Sequence, residues 1–129
     1  MKINIPISAG ELIDKLTILE LKRKWTYDTK KLEHILHEKS ELEKLYKEHI
    51  EQTDQIISYR ADLYEINRCL WMIEDRIRKK ENLKEFDEEF IELARDVYIT
   101  NDKRFEVKNK INTFLNSEIK EMKSYESYS

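Results

Sequence analysis

Ile3, Ile5 and Ile7 alternate with Lys2, Asn4 and Pro6, a period of two that predicts a short strand whose end or edge Pro6 marks. The period then changes. Ser8 precedes Glu11 by three residues, with Ile7 and Leu12 on either side. This is the capping box and hydrophobic staple of a helix start. Pro6 and Gly10 are the only proline and the only glycine in the chain. Both mark this strand-to-helix corner, and Gly10 falls where another backbone could approach closely.

From Ala9 to about Glu51 no breaker intervenes. Ile18, Leu21, Trp25, Leu32, Ile35, Leu42 and Tyr46 recur at spacings of three, four and seven, the coiled-coil-like seam of packed long helices. One continuous helix is expected, roughly 60 Å long, with its weakest point at WTYDT, residues 25–29. A turn at EQTD, capped by Thr53 or Asp54, leads into Ile56, Tyr59, Leu63, Ile66, Leu70, Ile73 and Ile77, the cleanest helical alternation in the chain. KKENLKEFD breaks that pattern. Phe90, Leu93, Val97, Val107, Ile111 and Phe114 then mark a third long helix, with a polar middle at Thr100 and Arg104, a kink expected near ITND and an exit at Asn116 and Ser117. The predicted fold is mostly α. A long antiparallel helical hairpin packs with a third helix, and a short N-terminal strand pairs with the C-terminal tail EIKEMKSYESYS. All 129 residues read as one domain.

Composition narrows the class. Charged residues make up 40% and hydrophobic ones another 40%, as in long amphipathic helices. No apolar run nears the roughly 18 residues of a membrane span, and MKINIPIS lacks the apolar core of a signal peptide. A soluble, cytoplasmic protein is expected. The single cysteine, Cys69, has neither a disulfide partner nor metal-ligand spacing and reads as a buried small hydrophobe.

Charge is uneven along the chain. Lys22, Arg23 and Lys24 lie level with Arg76, Arg78, Lys79 and Lys80 in the predicted hairpin, a basic patch suited to phosphate or to an acidic partner unless neighbouring carboxylates such as those of EFDEEF neutralise it. The chain is acidic overall, with a net charge of −3, and no aromatic stacking platform accompanies the patch. Nucleic acid is therefore disfavoured as a partner.

A polar band, Asn67, Trp71, Glu74 and Arg78, runs beside the seam of the second helix. Arg95, Tyr98, Asn101, Asp102, Lys108 and Asn112 form a second band on the third. Facing each other, the bands would close as an ionic network, with Glu74 or Asp75 on Arg95, Arg104 or Lys108. Left apart, they would line a pocket for an anionic sugar or a nucleotide.

Signals of catalysis are weak. Glu11 with Asp14, Glu74 with Asp75, and Glu88, Glu89, Glu92 with Asp96 could hold Mg²⁺ as in nucleotide pyrophosphatases, but carboxylates at helical spacing commonly pair with lysines. His34 and His37 sit off the seam among charges, so no metal site and no cofactor is expected. There is no glycine-rich phosphate loop and no nucleophile motif.

GELIDKLTILELK, NRCLWMIEDRIR, FIELARDVYITNDKRFEVKNKIN and SEIKEMKSY together resemble, almost end to end, a family of short uncharacterised bacterial and phage proteins. It is a domain of unknown function sometimes encoded near surface-polysaccharide genes. The chain departs from that pattern with Phe105 in place of a small residue and Asn116 in place of glycine. The resemblance implies no activity, so the leading expectation is a non-enzymatic interaction or accessory protein. Surplus apolar positions on the first helix, Ile13, Leu36, Leu45 and Ile50, favour a homodimer clasped by Tyr125 and Tyr128, or else contact with another protein.

Overall fold

The structure, a computed structural model, describes residues 1–127. They form four helices: α1 (Ala9–Trp25), α2 (Thr29–His49), α3 (Asp54–Asn82) and α4 (Glu88–Phe114). Each begins on a side chain that accepts from an otherwise free N–H. Ser8 accepts from Glu11, Asp28 from Lys31, Thr53 from Ile56 and Asp87 from Phe90. α3 and α4 end on left-handed residues, Lys84 at φ 56° and Asn116 at φ 51°. The amide of the next residue donates back to the last turn in each, Glu85 to Lys80 at 3.0 Å and Ser117 to Asn112 at 2.8 Å. These are Schellman closures, and asparagine at 116 tolerates the conformation that glycine would adopt freely.

Three expectations are corrected. The long first helix is two helices. Thr26 is extended, at φ −107° and ψ 125°, and Asp28 starts a new helix, so WTYDT is a break. The three-residue connection folds α2 back on α1. That brings Tyr46 into the core, where a straight rod would have left it in water. The N-terminal strand does not form either. Residues 1–7 have no backbone pairing among the described residues, and Ile3 and Ile5 stand 74% and 67% exposed. Their alternation meets no sheet edge to pair with, and an isolated extended segment has no stability of its own. Nor does the tail join it. Beyond Ser117 the tail turns back along α4, where Glu121 pairs with Lys108 at 2.6 Å and Lys123 pairs with Asp102. Lys123 also lies over the Phe105 ring.

α1 is the central element, packed against α2, α3 and α4. Its contacts with α4 run in opposite sequence order, Gly10 to Asn112 and Asp14 to Arg104, so those helices are antiparallel. Thr17 meets Asn67 and Trp25 meets Trp71, so α1 and α3 run the same way. The core gathers Leu12, Ile13 and Leu16 of α1 with Tyr46, Ile56, Leu63 and Ile111, closed at one edge by Ile50. α1 is buried on several faces, so the expected seam of Ile18, Leu21 and Trp25 is only one side of it. Of the surplus apolar set, Ile13 and Ile50 are core residues, while Leu36 and Leu45 stay exposed. Tyr125 is exposed, and Tyr128 lies outside the described residues. α4 runs unbroken through ITND, and Cys69 is half-buried.

Arg60 of α3 clamps this arrangement from outside. Its guanidinium reaches Glu20 of α1 and Glu43 of α2 and covers the Tyr46 ring at 4.8 Å. Partial burial works to raise the Glu43 pKa, but hydrogen bonding and attraction to Arg60 outweigh it, and the net shift is downward. A carboxylate held below its unfolded value stabilises the fold above that value and loses this contribution as pH falls through the folded one. Glu43→Gln should therefore lower the urea midpoint at neutral pH and narrow its gap to wild type in acid. Curves parallel at all pH values would contradict the clamp.

Candidate functional site

The first half of α1 carries a line of small and polar residues, Gly10, Asp14 and Thr17, facing α3 and α4. Gly10 is where α1 and α4 cross. A Cβ there would lie 2.5 Å from the Lys108 carbonyl oxygen and 2.9 Å from Asn112 Oδ1. That separation lets the Gly10 amide donate to Asn112 Oδ1 at 2.7 Å. Asn112 is fully buried, and its amide nitrogen has no partner among the described residues.

One turn on, the Asp14 carboxylate is wholly buried. It accepts from Arg104 Nε at 3.0 Å, from a second Arg104 nitrogen, and from Asn67 Nδ2 at 2.8 Å. Asn67 also donates to Thr17 Oγ1 at 2.9 Å, and that hydroxyl donates to the Asp14 carbonyl at 2.7 Å. Lys108, its side chain only 6% exposed, is held by Glu11 at 2.7 Å and by Glu121. Burial disfavours charge on Arg104 and Lys108, yet the facing carboxylates prevail and both pKa values move up. The network is ionic, and it fixes the register of α1, α3 and α4.

Above it lies a cleft. α1 spans 17 residues against 29 and 27 for α3 and α4, so the α3–α4 pair continues past the end of α1. Where the three diverge, a cleft of about 480 Å³ opens. Ile18, Leu21 and Leu70 supply its apolar surface. Trp71, braced at 5.2 Å by Trp25, supplies an aromatic wall. Asn67, Asn101, Glu74, Asp75, Arg78 and Arg104 line the remainder. Arg104 therefore belongs to both arrangements, bound behind to Asp14 and bordering the cleft in front. The cleft's two arginines and two carboxylates balance in charge.

Five of the ten residues in the expected polar bands line this one cleft: Asn67, Trp71, Glu74, Arg78 and Asn101. The other five do not, and two of them, Lys108 and Asn112, are buried between α1 and α4. Arg95 is hydrogen-bonded to Tyr98, and Asp102 pairs with Lys123 of the tail. The expected closure of the bands through Glu74 or Asp75 is overturned. Glu74 pairs with Arg78 and Asp75 with Lys79, each one turn along the same helix, while Arg104 and Lys108 turn to Asp14 and Glu11. Arg104 thus joins an ionic network as expected but with another partner, and the apolar floor was not expected. The overlooked signal was Asp14 and Thr17 lying in a face otherwise set with apolar residues.

The basic patch divides. Its α3 members are neutralised: Arg76 by Glu89, Arg78 by Glu74, Lys79 by Asp75, and Lys80 by Glu85, Asp87 and Glu89. Among the described residues no carboxylate pairs with Lys22, Arg23 or Lys24 of α1. Of the acidic groups weighed as metal ligands, Glu11 and Asp14 hold the buried cations, Glu74 and Asp75 pair with Arg78 and Lys79, and Glu89 pairs with Arg76 and Lys80. His34 and His37 are exposed.

A family model described as a family of unknown function, DUF6165, matches residues 1–128. The chain belongs to the DUF6165 family. That membership covers both the buried network and the cleft without assigning either a role. Comparison with curated proteins and with solved structures returned no match. None of the four helices is long and apolar enough to cross a membrane.

Proposed function

We propose that this chain is a non-enzymatic binding protein whose cleft between α1, α3 and α4 takes a small polyhydroxylated ligand, a sugar or the sugar portion of a larger molecule. The observation that carries this reading is the convergence of Trp71, Glu74, Arg78, Asn67 and Asn101 on one open cleft in place of mutual closure. The chemistry suits a pyranose ring. Carboxylates, guanidinium groups and carboxamides present paired donors and acceptors to vicinal hydroxyls. An indole and an aliphatic floor accept the C–H face of the ring. Charge balance within the cleft favours a neutral or singly charged ring over a highly charged one.

The test uses the protein's own reporters, because Trp71 lines the cleft and the only other tryptophan, Trp25, packs against it. Titration with a panel of monosaccharides, uronic acids and nucleotide sugars should give a saturable change in intrinsic fluorescence for at least one class. Trp71→Ala should weaken that binding about tenfold, the effect of losing about 1.4 kcal/mol of ring contact, and should barely change the urea midpoint. If no sugar perturbs the fluorescence, or if the variant binds as wild type does, the reading fails.

A further inference from the structure

A second cavity, of about 440 Å³, lies on the other side of α1 between α1, α2 and α3. Its lining is Glu20, Arg23 and Lys24 of α1, Lys39 of α2 and Tyr64 of α3. We propose that this cavity binds a compact, multiply charged phosphate such as a diphosphate, independently of the sugar cleft.

The electrostatics carry the case. The cavity's one carboxylate, Glu20, is committed to Arg60, which also holds Glu43. Burial disfavours charge on Arg60, but hydrogen bonds and attraction to the two carboxylates outweigh it and keep the guanidinium firmly charged. Lys39 reaches Glu43 only at 3.8 Å, with its side chain 20% exposed. Arg23 and Lys24 have no ion-pair partner among the described residues, and Lys24 lies 5.9 Å from the Trp25 ring centroid. Three cations from two helices thus border one cavity whose nearby negative charge Arg60 already engages. Tyr64 adds a hydroxyl to the lining.

Cations at the last turn of α1 also offset the partial negative charge of the helix end. That role requires neither Lys39 nor a cavity. A diphosphate would neutralise several of these charges at once, and a guanidinium beside ammonium groups suits its bridging oxygens.

The same phosphate chemistry could come from a soluble metabolite or from a lipid headgroup, and the experiment separates them. The full chain at low salt is titrated with inorganic pyrophosphate, followed by amide chemical shifts in ¹H–¹⁵N NMR. Saturable shifts at Arg23, Lys24, Lys39 and Tyr64 are expected, with affinity falling at least tenfold in the Arg23→Gln/Lys24→Gln double variant. The Lys79→Gln variant, which removes an exposed cation paired on α3, should bind as wild type does. Sedimentation with vesicles containing a phosphoinositide then assigns the source: co-sedimentation abolished by the double variant marks a headgroup site, and its absence alongside pyrophosphate binding marks a soluble ligand. The proposal is overturned if pyrophosphate shifts none of these amides. It is equally overturned if the double variant binds with unchanged affinity, whether or not its thermal stability falls. The sugar titration depends on the other face of α1, so either result leaves the other decidable.

Discussion

Asp14→Ala is expected to lower the stability of the chain by about 3 kcal/mol, the scale for removing one partner from a buried ion pair, seen as a fall in the urea midpoint. The Asp14 side chain is fully buried and is the acceptor for Arg104 and Asn67 together. Without it the Arg104 guanidinium is left partly buried with no hydrogen-bonded carboxylate, though Glu11 and Glu121 remain near it, and Asn67 keeps only Thr17. Lys108 softens the loss because it retains Glu11 and Glu121. Arg104, with 28% of its side chain exposed, can recover some hydration, which places the value at the lower end of the range. Glu74→Gln is the contrasting case. Its side chain is 45% exposed and paired along its own helix, so its effect should stay within about 0.5 kcal/mol. If the two variants were equally mild, the buried network would not hold the helices together.

Gly10→Ala should also destabilise, by about 2 kcal/mol, within the usual range for overpacking a tight contact. Alanine is the better helix former, worth up to about 1 kcal/mol in mid-helix, and in the first turn that gain is smaller. Against it stands the Lys108 carbonyl, 2.5 Å from the new methyl. This is backbone within a continuous helix, so it cannot swing aside as a side chain could. α1 must move off α4, which lengthens the bond from the Gly10 amide to Asn112 Oδ1 and loosens the ionic pairs one turn below. A differential scanning measurement showing Gly10→Ala as stable as wild type would mean that α1 and α4 cross less closely than described.

The helix starts and stops were legible because they are local. Ser8, Thr53 and Asn116 act with backbone groups a few residues away, as their spacing implies, whereas the Glu11 carboxylate of the expected capping box turns to Lys108. The single glycine likewise reported a close backbone approach. The break at residues 26–28 was misread because Asp28 and its neighbours lower helix propensity only slightly. What separates α1 from α2 is the tertiary gain from burying Tyr46 and Ile50, which no local pattern displays. The Ile3, Ile5 and Ile7 alternation was a real period of two without a partner strand. Asp14 stood out as a polar residue in an otherwise apolar face, but its counterpart did not, because Arg104 lies 90 positions away. Half of the cleft was visible as a polar band on α3. Its floor was not, because Ile18 and Leu21 read as ordinary seam residues, and only the fold shows that they border a cleft.

The cleft is the centre of this account, and NMR of the ¹⁵N-labelled chain titrated with the best sugar from the fluorescence panel tests it most directly. The account predicts that the Trp71 indole N–H and the Asn101 side-chain amide shift together with a single saturating affinity, while the amides of Leu36 and Tyr125, on exposed surface outside the cleft, stay fixed. Saturable shifts confined to residues outside the cleft, or none from any sugar at all, would contradict it.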